Sequence, residues 1–156
     1  MSIIQASVAG SFYPRSPKKL QHTIHTLLQQ AAATSNHSIA LPRMLICPHA
    51  GLQYSGPTAA VAYACLSKGK GTISRVVILG PSHHCAFKGI ALPHYTAFQT
   101  PLGVVPVAQD TYKHLEKLPF VHPNPYAHAQ EHAIELQLPF LQLLLNKFTF
   151  LPLITG

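Results

Sequence analysis

Apolar residues recur along this chain at helical spacing in some stretches and as short unbroken runs in others. Their alternation predicts the fold class. Leu20, Ile24, Leu27 and Leu28 repeat at a helical period behind Ser16 and Pro17, a capping residue and a first-turn proline, which predicts a helix to about Ala33. His22 and His25 fall off that stripe and read as a solvated face. The polar stretch ATSNHS reads as a loop. The run RMLIC (residues 43–47), closed by Pro48, predicts a buried strand. Residues 51–56 read as a turn, and residues 57–68 predict a helix with Pro57 near its start. SRVVILG (residues 74–80) predicts a second buried strand, so strand, helix and strand follow one another as in a right-handed βαβ unit.

The second half continues in the same style. GIALP and GVVPV predict short strands near an edge, where Pro93 and Pro106 limit ladder pairing. A helix is expected at AQDTYKHLEKL, then a loop rich in Pro and His. EHAIELQLPFLQLLL predicts a helix kinked at Pro139, which lacks a donor and clashes with the carbonyl of Glu135. FTFLPLITG predicts a last apolar strand. The order implies one α/β domain over residues 1–156, a three-layer α/β/α arrangement around a central, mostly parallel mixed sheet. In such sheets ligands collect at the carboxyl edge of the strands.

Composition narrows the function classes. The 156 residues are 47% hydrophobic and only 10% charged, which favours a thick layered core. The formal charge of +7 comes from a shortage of acids, four in all, more than from a surplus of bases. Lys and Arg are scattered, so no specific nucleic-acid stripe is expected. No apolar run reaches the roughly 18 residues of a membrane span. Three cysteines, with no C-x-x-C pair, point to a reducing compartment, and the start lacks the pattern of a signal peptide, so a cytoplasmic location is expected. The sequon at Asn36, His37 and Ser38 is then incidental.

The candidate chemistry lies where apolar runs stop. His49 follows the first expected strand, and Ser82, His83 and His84 follow the second, VVILGPSHH. If those strands are parallel neighbours, His49 and His83 meet at one edge, as a pair of metal ligands suited to iron, copper or zinc. A strand-end histidine also serves structurally by bonding a carbonyl, and the chain has 11 histidines. His84 faces the other way if the backbone stays extended and would back the pair. In HAQEHAIE, His128 and His132 are four apart, as are Glu131 and Glu135, so each pair shares a face if the helix already includes them. A carboxylate beside a histidine suits a general base, and His132 is the candidate. Glu135 equally suits the positive end of a helix dipole. The H-E-x-x-H order, the G-x-S-x-G elbow and the Walker and dinucleotide loops are absent.

Taken together, VAGSFYP (residues 8–14), CPHAGLQYSG (47–56), ILGPSHH (78–84), TPLG (100–103) and EHAIELQLPFLQ (131–142) closely resemble the MEMO family, also called AmmeMemoRadiSam system protein B. That family is similar in fold to the class III extradiol dioxygenases, non-haem iron enzymes that cleave catechol rings. The resemblance implies that His49 and His83 hold iron or copper and that His132 acts as acid and base; Tyr54, Ser82, His84 and Glu131 are the further candidates for lining or backing the pocket. It implies either a small aromatic substrate or, if the pocket is catalytically silent, an adaptor for phosphotyrosine-type peptides. An inactive paralogue is the third reading. The chain stops at LPLITG, which resembles a strand in mid-domain, so the family's later DFSHY-like segment and C-terminal cysteine have no counterpart. An incomplete domain exposes an apolar sheet edge, to be covered by further chain or by a second copy. Cys47 and Cys85 are the thiols near the expected site, and burial explains both as well as ligation does.

Overall fold

The computed structural model describes residues 2–34 and 40–156. The sequon and most of the ATSNHS loop lie outside the described residues. The first helix, α1 (Pro17–Thr34), begins where its capping pattern predicts; Ser16 Oγ accepts from the N–H of Lys19 at 3.5 Å. Leu20 and Ile24, one turn apart on its apolar stripe, are fully buried, while His22 and His25 are exposed.

The second helix, α2, runs Leu52–Ala64 and so starts five residues before its expected beginning, with Pro57 inside it. The supposed turn at residues 51–56 is its first turns. Gly56 explains the difference. A β-carbon there would lie 2.9 Å from Leu27 Cδ1, so this glycine serves the close approach of α2 to α1 instead of a bend in the chain. Helices α1 and α2 also pack on α5 (Leu138–Leu144).

The longest strands are β2 (Arg75–Pro81) and β7 (Thr149–Thr155), parallel partners in continuous register from Arg75↔Thr149 to Pro81↔Thr155. Residues 150–154 are all buried, which is why this strand reads as an unbroken apolar run with no alternation. On its other side β7 pairs antiparallel with β3 (Ile90–Leu92), which pairs parallel with β6 (Val121–Pro123); the order is β2-β7-β3-β6. A second sheet of order β1-β4-β5 joins β1 (Ile3–Ile4), β4 (Ala97–Thr100) and β5 (Gly103–Pro106). The class is α/β with mixed, open sheets, as the pattern of elements implies, but the strands divide between two sheets. Helix α3 (Gln109–Leu115) lies where expected.

Two further expectations about the elements need correction. Residues 43–47 form no strand; Met44 and Ile46 are 81% and 93% exposed. An apolar run becomes a strand only when a partner takes its hydrogen bonds. Among the described residues β2 pairs only with β7, its other edge is unpaired, and the outward Val77 and Leu79 are exposed. The last helix is also shorter than predicted. Helix α4 (Pro125–Ala129) ends at Gln130, a 3-10 turn covers Glu135–Gln137, and α5 starts only at Leu138. Pro139 therefore sits in the first turn of a helix, where its missing N–H has no bond to lose, and no kink results.

Among the described residues no helix is long and apolar enough to cross a membrane. Gly89 has φ +96°, and a β-carbon on it would stand 2.3 Å from the carbonyl oxygen of Phe120. Gly89→Ala is therefore expected to cost about 2 kcal/mol in urea unfolding, from left-handed strain plus that clash; a loss under about 0.5 kcal/mol would show that the β3–β6 junction yields freely.

Candidate functional site

Four chain segments meet at one crevice. His49 lies between Pro48 and Gly51, the residue that caps α2. His83 comes two residues after β2 ends, on a turn closed by Ser82, whose hydroxyl donates to the Cys85 carbonyl at 2.6 Å and accepts from the Cys85 N–H at 3.2 Å. His132 sits between α4 and the 3-10 turn. The fourth segment, residues 7–13, brings Phe12, whose carbonyl accepts from the N–H of Leu52 at 2.8 Å.

The three imidazoles gather closely. Ring centroids are 5.2 Å apart for His49 and His83, 6.0 Å for His49 and His132, and 4.5 Å for His83 and His132, the last pair stacked at 28°. Phe12 packs edge-on against His132 at 5.0 Å. They face a cavity of about 950 Å³ that is also lined by Ser11, Ile46, Cys47, Gln53 and Tyr54. Tyr54 is mostly exposed, at the rim. His84 is exposed, its ring 6.4 Å from those of His83 and His132. Ser82 holds its turn and does not line the cavity.

Residues 131–137 tie these segments together. Glu131 Oε2 accepts from the main-chain N–H of His83 at 2.8 Å; Oε1 accepts from the N–H of Ala133 and meets His83 Nδ1, both at 2.8 Å. His132 Nδ1 lies 3.5 Å from that same Oε1. Glu135, fully buried, accepts from the Ser7 N–H (2.8 Å), the Ser7 hydroxyl (2.7 Å), the Val8 N–H (3.2 Å) and the Tyr13 hydroxyl. Gln137 accepts from Tyr63 Oη at 2.7 Å and donates to the carbonyl of Pro48 at 3.3 Å. One stretch thus clamps the His83 turn, the Phe12 loop and the residue beside His49.

Electrostatics keep two of the rings neutral. Burial, and then the neighbouring His83, lower His49 below its ordinary value against an opposing pull from Glu131. Burial likewise lowers His132; Glu131 pulls it up, and His83, His49 and His84 add to the lowering. Burial alone would raise the Glu131 carboxyl, but the N–H groups of Ala133 and His83 and the His83 ring outweigh it and hold it below the usual range. Burial pushes the Cys47 thiol up, only partly offset by Tyr63, so this pocket cysteine is not primed as a thiolate ligand. Cys85 does not line the cavity.

His128 is elsewhere. Since α4 ends before Glu131, His128 and His132 share no helix face. His128 is 2% exposed; its Nδ1 accepts from the Tyr95 hydroxyl and its Nε2 donates to the Ala91 carbonyl, both at 3.0 Å. Phe12 and Ser11 were missed by the sequence reading. The available signal was their place in VAGSFYP (residues 8–14), one of the motifs that carry the family resemblance.

Among the described residues one group can bring donor atoms within 4.8 Å of one another: His83, Glu131 and His132. His49 is not in that group; its ring centroid lies 5.2 Å from that of His83 and 6.0 Å from that of His132. Neutral imidazoles lend lone pairs to iron, copper or zinc, so the donor types present suit a transition metal.

A family model described as Memo-like protein matches residues 5–156. A MEMO1 family protein of Aquifex aeolicus is 34% identical over 99% of this chain and 55% of its own length. MEMO1 family protein MHO1 of Saccharomyces cerevisiae is 39% identical over 90% of the chain and 44% of its own length, and a Methanopyrus kandleri relative is 38% identical over 94% and 54%. The chain therefore spans about half the length of the curated relatives it matches. With the match running through every segment that builds the histidine crevice, the chain belongs to the Memo-like protein family.

Proposed function

We propose that the crevice is a metal site with dioxygenase-like redox capacity toward a small aromatic substrate. The observation that carries this reading is the meeting of three imidazoles from distant segments, with ring centroids 4.5 to 6.0 Å apart, at a cavity of about 950 Å³. His49 and His83 would hold iron or copper, and zinc suits the same donors. A bound metal would supply Lewis acidity and, for iron or copper, a redox couple. The chain supplies the rest. His132, kept neutral by burial, takes a proton at Nε2 from a hydroxyl placed in the cavity, because its Nδ1 faces Glu131. Phe12 holds that ring from the side, and the rim at Tyr54 offers an aromatic surface to a planar ligand.

Metal analysis of purified protein tests the reading. Iron or copper near one equivalent is expected in the wild type, and His49→Ala should lose at least about tenfold in affinity; unchanged metal content in that variant would remove His49 from the site. The net charge of +7 favours a second reading, a cleft for anionic phosphopeptides. Binding of a phosphotyrosine peptide that survives metal chelation and His49→Ala alike would support it over the first.

A further inference from the structure

We infer that Glu131 is a positioning residue that sets the tautomer of His83. Its side chain is 1% exposed, and three hydrogen bonds converge on it: the His83 N–H at Oε2, and the Ala133 N–H with His83 Nδ1 at Oε1. A carboxylate in this state only accepts, so the proton of the His83 ring resides on Nδ1. That leaves the Nε2 lone pair free on the ring edge away from the buried oxygen. Gripping backbone and ring of the same residue, Glu131 also fixes the ring's direction. The oxygen nearest both rings already accepts two bonds and lies 3.5 Å from His132 Nδ1. It therefore orients imidazoles and does not compete with them as a ligand. Outer carboxylates of this kind typically change metal affinity about 10–100-fold.

The inference bears on the metal reading through affinity only, so the test separates the two. Nitrogen-15 NMR of the imidazoles is recorded for the wild type and Glu131→Gln, and Zn2+ binding is measured by calorimetry. The wild type is expected to show His83 protonated on Nδ1. In Glu131→Gln the amide N–H₂ opposes one of the three donors, and His83 shifts toward the Nε2–H form while Zn2+ affinity falls about 10–100-fold. Wild-type His83 protonated on Nε2 would overturn the inference without any variant, and so would an unchanged tautomer in folded Glu131→Gln. A switched tautomer with undiminished Zn2+ affinity would uphold the positioning role and remove His83 from the metal reading.

Discussion

Glu135→Ala is expected to lower stability by about 4 kcal/mol and to release residues 7–13 from the crevice. The carboxylate is fully buried, and four donors end on it: two main-chain N–H groups, the Ser7 hydroxyl and the Tyr13 hydroxyl. Each buried donor left without an acceptor costs about 1–3 kcal/mol. The loop can swing out and recover part of that in water, which keeps the net below the simple sum. Burial, reinforced by the bond to Glu135, already holds the Tyr13 hydroxyl far above its ordinary value, so this phenol stays protonated and remains a donor across the accessible pH range. Urea unfolding measures the loss, and the amide of Glu135→Gln, which keeps one acceptor oxygen, should recover roughly half of it. A loss under about 1 kcal/mol for the alanine variant would mean that the loop is held mainly by packing of Tyr13, and the clamp role of residue 135 would be withdrawn.

Acid should destabilise the fold through His128 by about 3 kcal/mol between pH 6.5 and pH 4. Burial lowers this imidazole from 6.5 to about 4, against weaker upward pulls from the Ala91 carbonyl and Glu131. The folded value lies below the unfolded one. As pH falls through 6.5 the unfolded chain takes up a proton that the folded chain refuses, and stability drops until about pH 4, below which His128 contributes no further change. The distance between 6.5 and about 4 corresponds to the quoted figure of about 3 kcal/mol. His49 and His132 are lowered too and add acid sensitivity in the same direction. His128→Gln isolates the effect, since an amide can accept from Tyr95 and donate to Ala91. The stability difference between wild type and variant should narrow by about 3 kcal/mol from pH 7 to pH 4. Parallel pH profiles for the two proteins would sink this assignment.

Both predictions concern residues whose roles were only half legible beforehand. Glu135 reads equally well as a helix-dipole acid, because nothing in HAQEHAIE says that residues 7–13 will come back to meet it. His128 reads as a partner for His132, because a continuous helix puts residues four apart on one face. The helix breaks at Gln130, and His128 instead turns into the core between Tyr95 and β3. Gly56 reads as a turn residue and serves helix packing. Residues 43–47 read as a strand, yet strand identity belongs to a pair of segments, and no described partner takes their hydrogen bonds.

Short-range rules were sufficient elsewhere. Ser16 and Pro17 with a 3.6-residue stripe specify α1, and unbroken apolar runs specify β2 and β7. The same rules place His49 after Pro48 and His83 after Pro81, at the points where apolar segments must stop and polar groups can emerge. The resemblance of those motifs to the MEMO family holds over residues 5–156.

Local pattern thus determined α1, β2 and β7 and which side chains can carry chemistry, because propensity, capping and periodicity act within a few residues along the chain. Tertiary structure alone decided that Glu131 grips His83, that Glu135 and Gln137 anchor the Phe12 loop and the His49 segment, and that His128 leaves the site. The contacts of Glu131, Glu135 and Gln137 join residues 48 to 128 positions apart, and those that hold His128 in the core join residues 33 and 37 apart. Their formation depends on which surfaces the core brings face to face.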